Sequence, residues 1–172
     1  MQHIETVVVG SGGAASITFS AIPDTYTDLV VLYSGRTNRA STNDYTSLIL
    51  NGATTYESAR TLWGYGSSTV ITTTNDSYLA TNSTDSRANT FSNASIYLPN
   101  YTSSAKKSVS IDNAYDGNTA DTGEQIAAVL YNLTTPITSI TLDASIGTLL
   151  IEGTRAHLYG ITAGSDGIVS VS

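Results

Sequence analysis

A glycine-rich segment near the start of the chain has the residue types of a dinucleotide-binding loop. Residues 10–15 read GSGGAA and follow a valine run at 7–9, which together match the pattern G-x-G-x-x-A. The pattern binds a pyrophosphate only where a helix begins directly after the glycines, because the helix N-terminus supplies the N–H donors. Here apolar and polar residues alternate over 16–19, with the period of a strand, and Pro23 follows. We therefore expect a glycine turn joining 7–9 and 16–19 as a β-hairpin, and no cofactor.

An aspartate-rich segment carries the oxygen ligands that a hard cation prefers. Asp112 and Asp116 occupy positions one and five of an EF-hand-like loop, but position three is Ala114 and position twelve is Gly123. The EF-hand pattern therefore fails. Asp112, Asp116 and Asp121 remain candidate ligands for a cation of another kind, and an ordinary Asp/Gly turn is the alternative that we favour.

Residues for hydrolytic catalysis are sparse. The only histidines are His3 and His157, no G-x-S-x-G segment occurs, and His157 lies in an alternating stretch that favours a structural role. Nothing in the sequence brings any two of the four glutamates together as a glycosidase pair. The glutamates are Glu5, Glu57, Glu124 and Glu152. We expect no catalytic residues and no enzymatic activity.

Aromatic residues are the other group that could bind a ligand. The chain has eleven tyrosines and one tryptophan. Trp63 and Tyr65 are two residues apart, which places them on the same side of a strand, where they could stack on a sugar ring or contact another protein. The alternative is that such rings close the rim of a core with their polar atoms in water.

Composition excludes several classes of partner. The formal net charge is −7 with a pI near 4.4, which disfavours nucleic acid because phosphates require lysine and arginine. The absence of cysteine excludes disulfides and thiolate metal sites. No apolar run approaches the roughly 20 residues of a membrane-spanning helix, and the first residues lack the features of a signal peptide.

Short alternating segments punctuated by Asn-Gly and Asp-Gly predict an all-β chain. Residues 124–133 have an alternative pattern for a short helix, but their turn-like flanks favour a strand, and the polar stretch 72–93 predicts a long surface loop. The predicted strands are 3–9, 15–19, 29–34, 46–50, 58–65, 70–74, 90–98, 108–113, 125–132, 139–143, 149–152 and 156–161. Many short antiparallel strands predict a two-sheet β-sandwich, jelly-roll-like, that forms a single domain over 1–172.

The order of motifs along the chain resembles small β-rich virion structural proteins of tailed bacteriophages. The resemblance is spread over nearly the whole chain, although each motif is short. The matching stretches are VGSGGAASI at 9–17, IPDTYTDL at 22–29, LNG at 50–52, PNY at 99–101, KKS at 106–108, ITSI at 137–140 and LYGI at 158–161.

The resemblance implies a non-enzymatic protein of the virion, with no catalytic residues to transfer. Because no fibrous stalk precedes the domain, we expect a capsid decoration or cement protein that contacts other virion proteins. The alternative is a tail-fibre or receptor-binding module that recognises a host glycan. We also expect a homo-oligomer, with a trimer among the closed assemblies, and residues 162–172 as a C-terminal extension that mediates assembly. Nucleic acid and membranes are not expected partners.

Overall fold

The computed structural model of the protein describes residues 1–65, 68–74, 77–116, 118 and 122–163. Within these residues there are twelve β-strands and no helix. The strands are β1 (Gln2–Val8), β2 (Ser16–Phe19), β3 (Asp28–Gly35), β4 (Asn43–Leu50), β5 (Ser58–Tyr65), β6 (Ser68–Thr74), β7 (Tyr78–Asn82), β8 (Ser92–Leu98), β9 (Lys107–Asp116), β10 (Thr122–Tyr131), β11 (Ile140–Ala144) and β12 (Arg155–Ile161).

Eight of these strands form a jelly roll. β1 pairs with β12, β2 with β11, β3 with β8 and β4 with β7, all antiparallel. Within this set the first strand thus pairs with the last, the second with the seventh, and so on inward. The sheet orders β1-β12-β3-β8 and β2-β11-β4-β7 complete the winding of a two-sheet jelly roll. The predicted antiparallel β-sandwich is confirmed.

Two inserted hairpins widen one of the two sheets. The hairpin β5–β6 lies between β4 and β7 in the chain, and β9–β10 lies between β8 and β11. Both continue the sheet beyond β8 in the order β8-β9-β10-β5-β6, so that the larger sheet has eight strands and the smaller has four. We call these four added strands the wing. Because nothing widens the smaller sheet, the wing extends past its edge strand, β7.

The core between the sheets is lined by alternate residues of each strand. In β9 and β10 every second side chain is buried, which is the two-residue period that the sequence shows. Two buried tyrosines satisfy their hydroxyls inside this core. Tyr33 hydrogen-bonds Thr46 at 3.0 Å, and Tyr131 donates to the carbonyl of Leu48 at 2.7 Å. Burial raises the pKa of both tyrosines, so both hydroxyls remain protonated.

Two amide side chains of the wing hydrogen-bond the free edge of β7. Gln125 accepts from the N–H of Ala80 at 2.9 Å and donates to the carbonyl of Tyr78 at 2.6 Å. Asn113 donates to the carbonyl of Ala80 and to Gln125, both at 2.9 Å. Asn113 and Gln125 are cross-strand partners, and both are 1% exposed. The N–H and carbonyl of Ala80 and the carbonyl of Tyr78 thus find partners on side chains instead of on another strand. Farther along β7, the carbonyl of Asn82 accepts from the backbone N–H of Thr37.

The predicted hairpin at the glycine-rich segment is wrong. β1 belongs to the larger sheet and β2 to the smaller one, so residues 10–15 cross between the sheets. The same turn chemistry serves this crossing, since Gly12 and Gly13 have φ of +97° and +77°. A Cβ on Gly13 would also lie 2.8 Å from the carbonyl oxygen of Leu150.

Two other predictions of local structure need correction. Residues 149–152 form no strand, since Leu150 makes only isolated bridges and a turn at Gly153, with φ of +87°, follows. Within the predicted loop 72–93, Tyr78–Asn82 forms strand β7, and Leu79 and Ala80 are fully buried. Residues 84–90 of that segment are held by Arg36, which is 6% exposed. Its guanidinium donates to backbone carbonyls of Thr84, Ser86, Arg87 and Thr90.

The amide contact with β7 yields a stability prediction. We expect Gln125→Leu to lower the free energy of unfolding by about 3 kcal/mol, because it leaves an N–H and a carbonyl of β7 buried without partners, at roughly 1–3 kcal/mol each. Urea denaturation measures the change. Glu124→Leu, on the exposed neighbour, is the matched control and should stay within about 0.5 kcal/mol of wild type. Equal losses in the two variants would contradict the assignment.

Candidate interaction surface

The outward side of the eight-stranded sheet is the broadest surface that the fold creates. One row of paired residues crosses it, namely Leu62, Ile126, Asp112, Ser95, Leu32, His157 and Thr6. We call this surface the outer face. Its side chains are those that alternate with the core residues of the same strands.

Exposed apolar side chains concentrate on the outer face. Seven large hydrophobic residues are exposed in the described part of the chain, and five of them lie here. These five are Val8 (57%), Leu32 (39%), Leu62 (42%), Tyr97 (36%) and Ile126 (49%). An apolar surface gathered on one side of a molecule is typical of a contact site for another protein.

Leu62 and Ile126 are direct cross-strand partners and form the centre of an apolar patch on the wing. The neighbouring positions on β5 and β10 continue it as an open groove of about 440 Å³. The groove is lined by Ser58, Ala59, Arg60, Ser108, Ala128, Val129 and Leu130. We call Leu62, Ile126, Ala128 and this groove the wing patch.

The charges on the outer face are balanced, although the chain as a whole is acidic. At the paired positions of the described strands the exposed charges are Arg60, Arg155, Asp112 and Glu124. At the far end Tyr97 donates to the carboxylate of Asp28 at 2.8 Å. This hydrogen bond to the ionised carboxylate raises the pKa of Tyr97. A face with few and opposite charges imposes little repulsion on a packed neighbour.

Trp63 lies on the opposite, inward side of the wing. It has the same alternation as the buried residues Ala59 and Thr61, and its ring is half-buried. Tyr45 and Tyr115 contact it edge-on, each with ring centroids 6.3 Å from the indole. Tyr45 lies on the side of β4 that faces away from the core, so the wing curls around the β7 edge to reach it. The side chain of Tyr65, the predicted companion of Trp63, lies outside the described residues.

Two of the three candidate cation ligands, Asp112 and Asp116, do not converge. Asp112 and Asp116 lie on one extended strand, four residues or roughly 13 Å apart. Asp112 is exposed on the outer face. Asp116 accepts from the guanidinium of Arg87 at 3.0 Å and from the backbone N–H groups of Arg87 and Asn118. Asp121 lies outside the described residues, and among those described no group of three or more metal-binding side chains occurs.

Both histidines of the chain lie together, a juxtaposition that the sequence did not predict. His3 on β1 and His157 on β12 each hydrogen-bond the hydroxyl of Thr6, at 2.7 and 2.8 Å. Thr6 and His157 are 151 positions apart, so only strand pairing brings them into contact.

No known protein family, curated protein or solved structure matches the chain. In the described part of the chain, no helix has the length and apolar character needed to cross a membrane.

The contacts of Asp116 predict a structural carboxylate. We expect Asp116→Asn to lower the free energy of unfolding by about 1 kcal/mol, because it removes the charge that Arg87 and two N–H donors bind. Asp112→Asn is the matched control and should have no measurable effect. The melting temperature should be the same in excess chelator and in added calcium. A rise in melting temperature with calcium that both substitutions abolish would instead support a shared cation.

Proposed function

We propose that the protein is a non-enzymatic structural protein of a virion, most simply a capsid decoration or cement protein that acts through protein–protein contacts. The observation that supports this function is the outer face, where most of the exposed large hydrophobic side chains of the described chain lie together. The motif resemblance to virion structural proteins of tailed bacteriophages points the same way.

The architecture suits a cement role because the contact surface and the core are separate. The jelly roll buries its own hydrophobic residues between the sheets, whereas the wing adds surface without adding a second core. A sheet face with exposed apolar side chains and few charges can cover a seam between neighbouring subunits. In this function each copy contributes a modest interface, and the many copies together stabilise the particle.

Particle association tests the proposal directly. An antibody raised against the purified protein should label intact phage particles from the source culture in immunogold electron microscopy. Label confined to the soluble fraction, with none on particles, would overturn the virion assignment.

A surface variant tests the role of the outer face. We expect Ile126→Glu to abolish co-sedimentation of the protein with particles that lack it, because the charge would be desolvated in the contact. Its free energy of unfolding should stay within about 0.5 kcal/mol of wild type, since Ile126 is exposed. Thr18→Glu, on the exposed side of the smaller sheet, is the matched control and should bind normally. Normal binding by both variants would show that the outer face is not the contact.

A glycan-binding module is the second candidate function, and one arrangement favours it. On the exposed side of the smaller sheet, Tyr45 and Tyr78 pack with ring centroids 5.6 Å apart beside Trp63. In the same cross-strand row as Tyr78, Asp143 lies between Ser16 and Ser47. Partial burial raises the pKa of Asp143. Aromatic rings beside a carboxylate and hydroxyls are the groups that bind a neutral sugar.

Glycan-array binding separates the two functions. A glycan-binding module should give signals that Tyr78→Ala reduces at least about tenfold while the melting temperature stays comparable. If the protein is purely structural, neither the wild type nor Tyr78→Ala should give a signal on the array. Binding that is unchanged in Tyr78→Ala would exclude this aromatic group as the sugar site.

A further inference from the structure

The edge of the larger sheet holds a convergent pair of imidazole nitrogens. The Nε2 of His3 and the Nδ1 of His157 lie 2.7 and 2.8 Å from the same atom, the hydroxyl oxygen of Thr6. The two nitrogens are therefore no farther apart than the sum of those distances. A hydroxyl has one proton, so it can donate to only one of the rings. At least one ring nitrogen consequently carries a proton and donates it to the hydroxyl oxygen, and metal binding requires that this nitrogen lose that proton.

An irregularity in β1 creates the pair. Along β1, His3 pairs with Tyr159 and Thr6 with His157, although three positions separate His3 from Thr6 and only two separate Tyr159 from His157. The extra residue is a β-bulge between His3 and Glu5. Without it, His3 and Thr6 would lie on opposite sides of the strand, because side chains alternate. The bulge thus puts both side chains on the outer face.

Tyr159 positions the two imidazoles. Tyr159 is the cross-strand partner of His3 and lies two positions after His157 on β12. Its ring contacts His3 edge-on at 5.4 Å between centroids. The ring of His157 lies 6.5 Å from the same tyrosine. Both imidazoles therefore pack against one ring that is itself half-buried, which limits the number of rotamers that they sample. Such restriction lowers the entropy lost when a ligand binds.

We propose that His3 and His157 form a binding site for a divalent transition metal, with zinc as the natural test ion. Neutral imidazole nitrogen is a preferred zinc ligand at 2.0–2.1 Å, so in a tetrahedral shell the two nitrogens must approach to about 3.3 Å. Small rotations of the side chains of His3, His157 and Thr6 would achieve this, with the ion in the place that the Thr6 hydroxyl now occupies. The chain supplies two ligands, and water or another donor completes the shell from the solvent side, because β1 is an edge strand. The net charge of −7 favours a cation.

The proposal is independent of the virion function and has its own test. Isothermal titration of tag-free protein with zinc chloride should show one ion bound per chain. His3→Ala and His157→Ala should each weaken binding at least about tenfold, since one imidazole cannot chelate. Asp112→Asn, an exposed carboxylate on the same face, is the control and should bind as wild type does.

A second measurement excludes a merely structural effect of the histidines. Zinc should raise the melting temperature of wild type but not of either histidine variant, because the two ligands meet only in the folded chain. Absence of saturable binding by the wild-type protein would overturn the proposal. Equal zinc affinity in wild type and both histidine variants would also overturn it, since the ion would then bind elsewhere.

Discussion

The amide pair of Asn113 and Gln125 decides how the two sheets of this protein meet. β7 ends the smaller sheet, and an edge strand deep in the molecule must find partners for its outward N–H and carbonyl groups. Two side chains from the wing supply them with three hydrogen bonds of 2.6 to 2.9 Å, and a fourth joins the two amides to each other. The wing can then pass the β7 edge and place Trp63 against Tyr45 on the far side. The outer face is therefore broad, because the wing strands that pass the β7 edge continue the larger sheet.

Much of this architecture follows from the alternation of residue types, and the remainder depends on distant partners. The turn-like flanks of residues 124–133 predict the strand β10, and its buried side chains recur at every second position from Gln125 to Tyr131. The strand β7 was missed because its hydrogen bonds and burial come from residues more than thirty positions away. The glycines at 12 and 13 predict a hairpin but form a crossing between the sheets, because both structures need the same positive φ. Turn residues predict that the chain changes direction. The sheet that the next strand joins depends on pairing with strands far away in the sequence.

The proposed contact surface had a signal in the sequence, whereas the histidine pair had none. In β10, apolar residues occupy both phases of the alternation, since Ala127 and Val129 point inward while Ile126 and Ala128 point outward. An apolar residue in the polar phase of a half-buried strand indicates a surface with another use. His3 and His157 lie near opposite ends of the sequence, and their proximity requires both the β1–β12 pairing and a bulge. Neither feature can be read from the two histidines alone.

In the proposed function, the protein acts through one face of one sheet, and a cryo-electron microscopy map of the assembled particle tests that most directly. The account predicts that each copy rests on its neighbours through the outer face, with Leu62 and Ile126 covered and Thr18 and Thr141 exposed to solvent. A map in which the outer face points to solvent and the smaller sheet makes the contact would contradict the account, as would a particle without density for this fold.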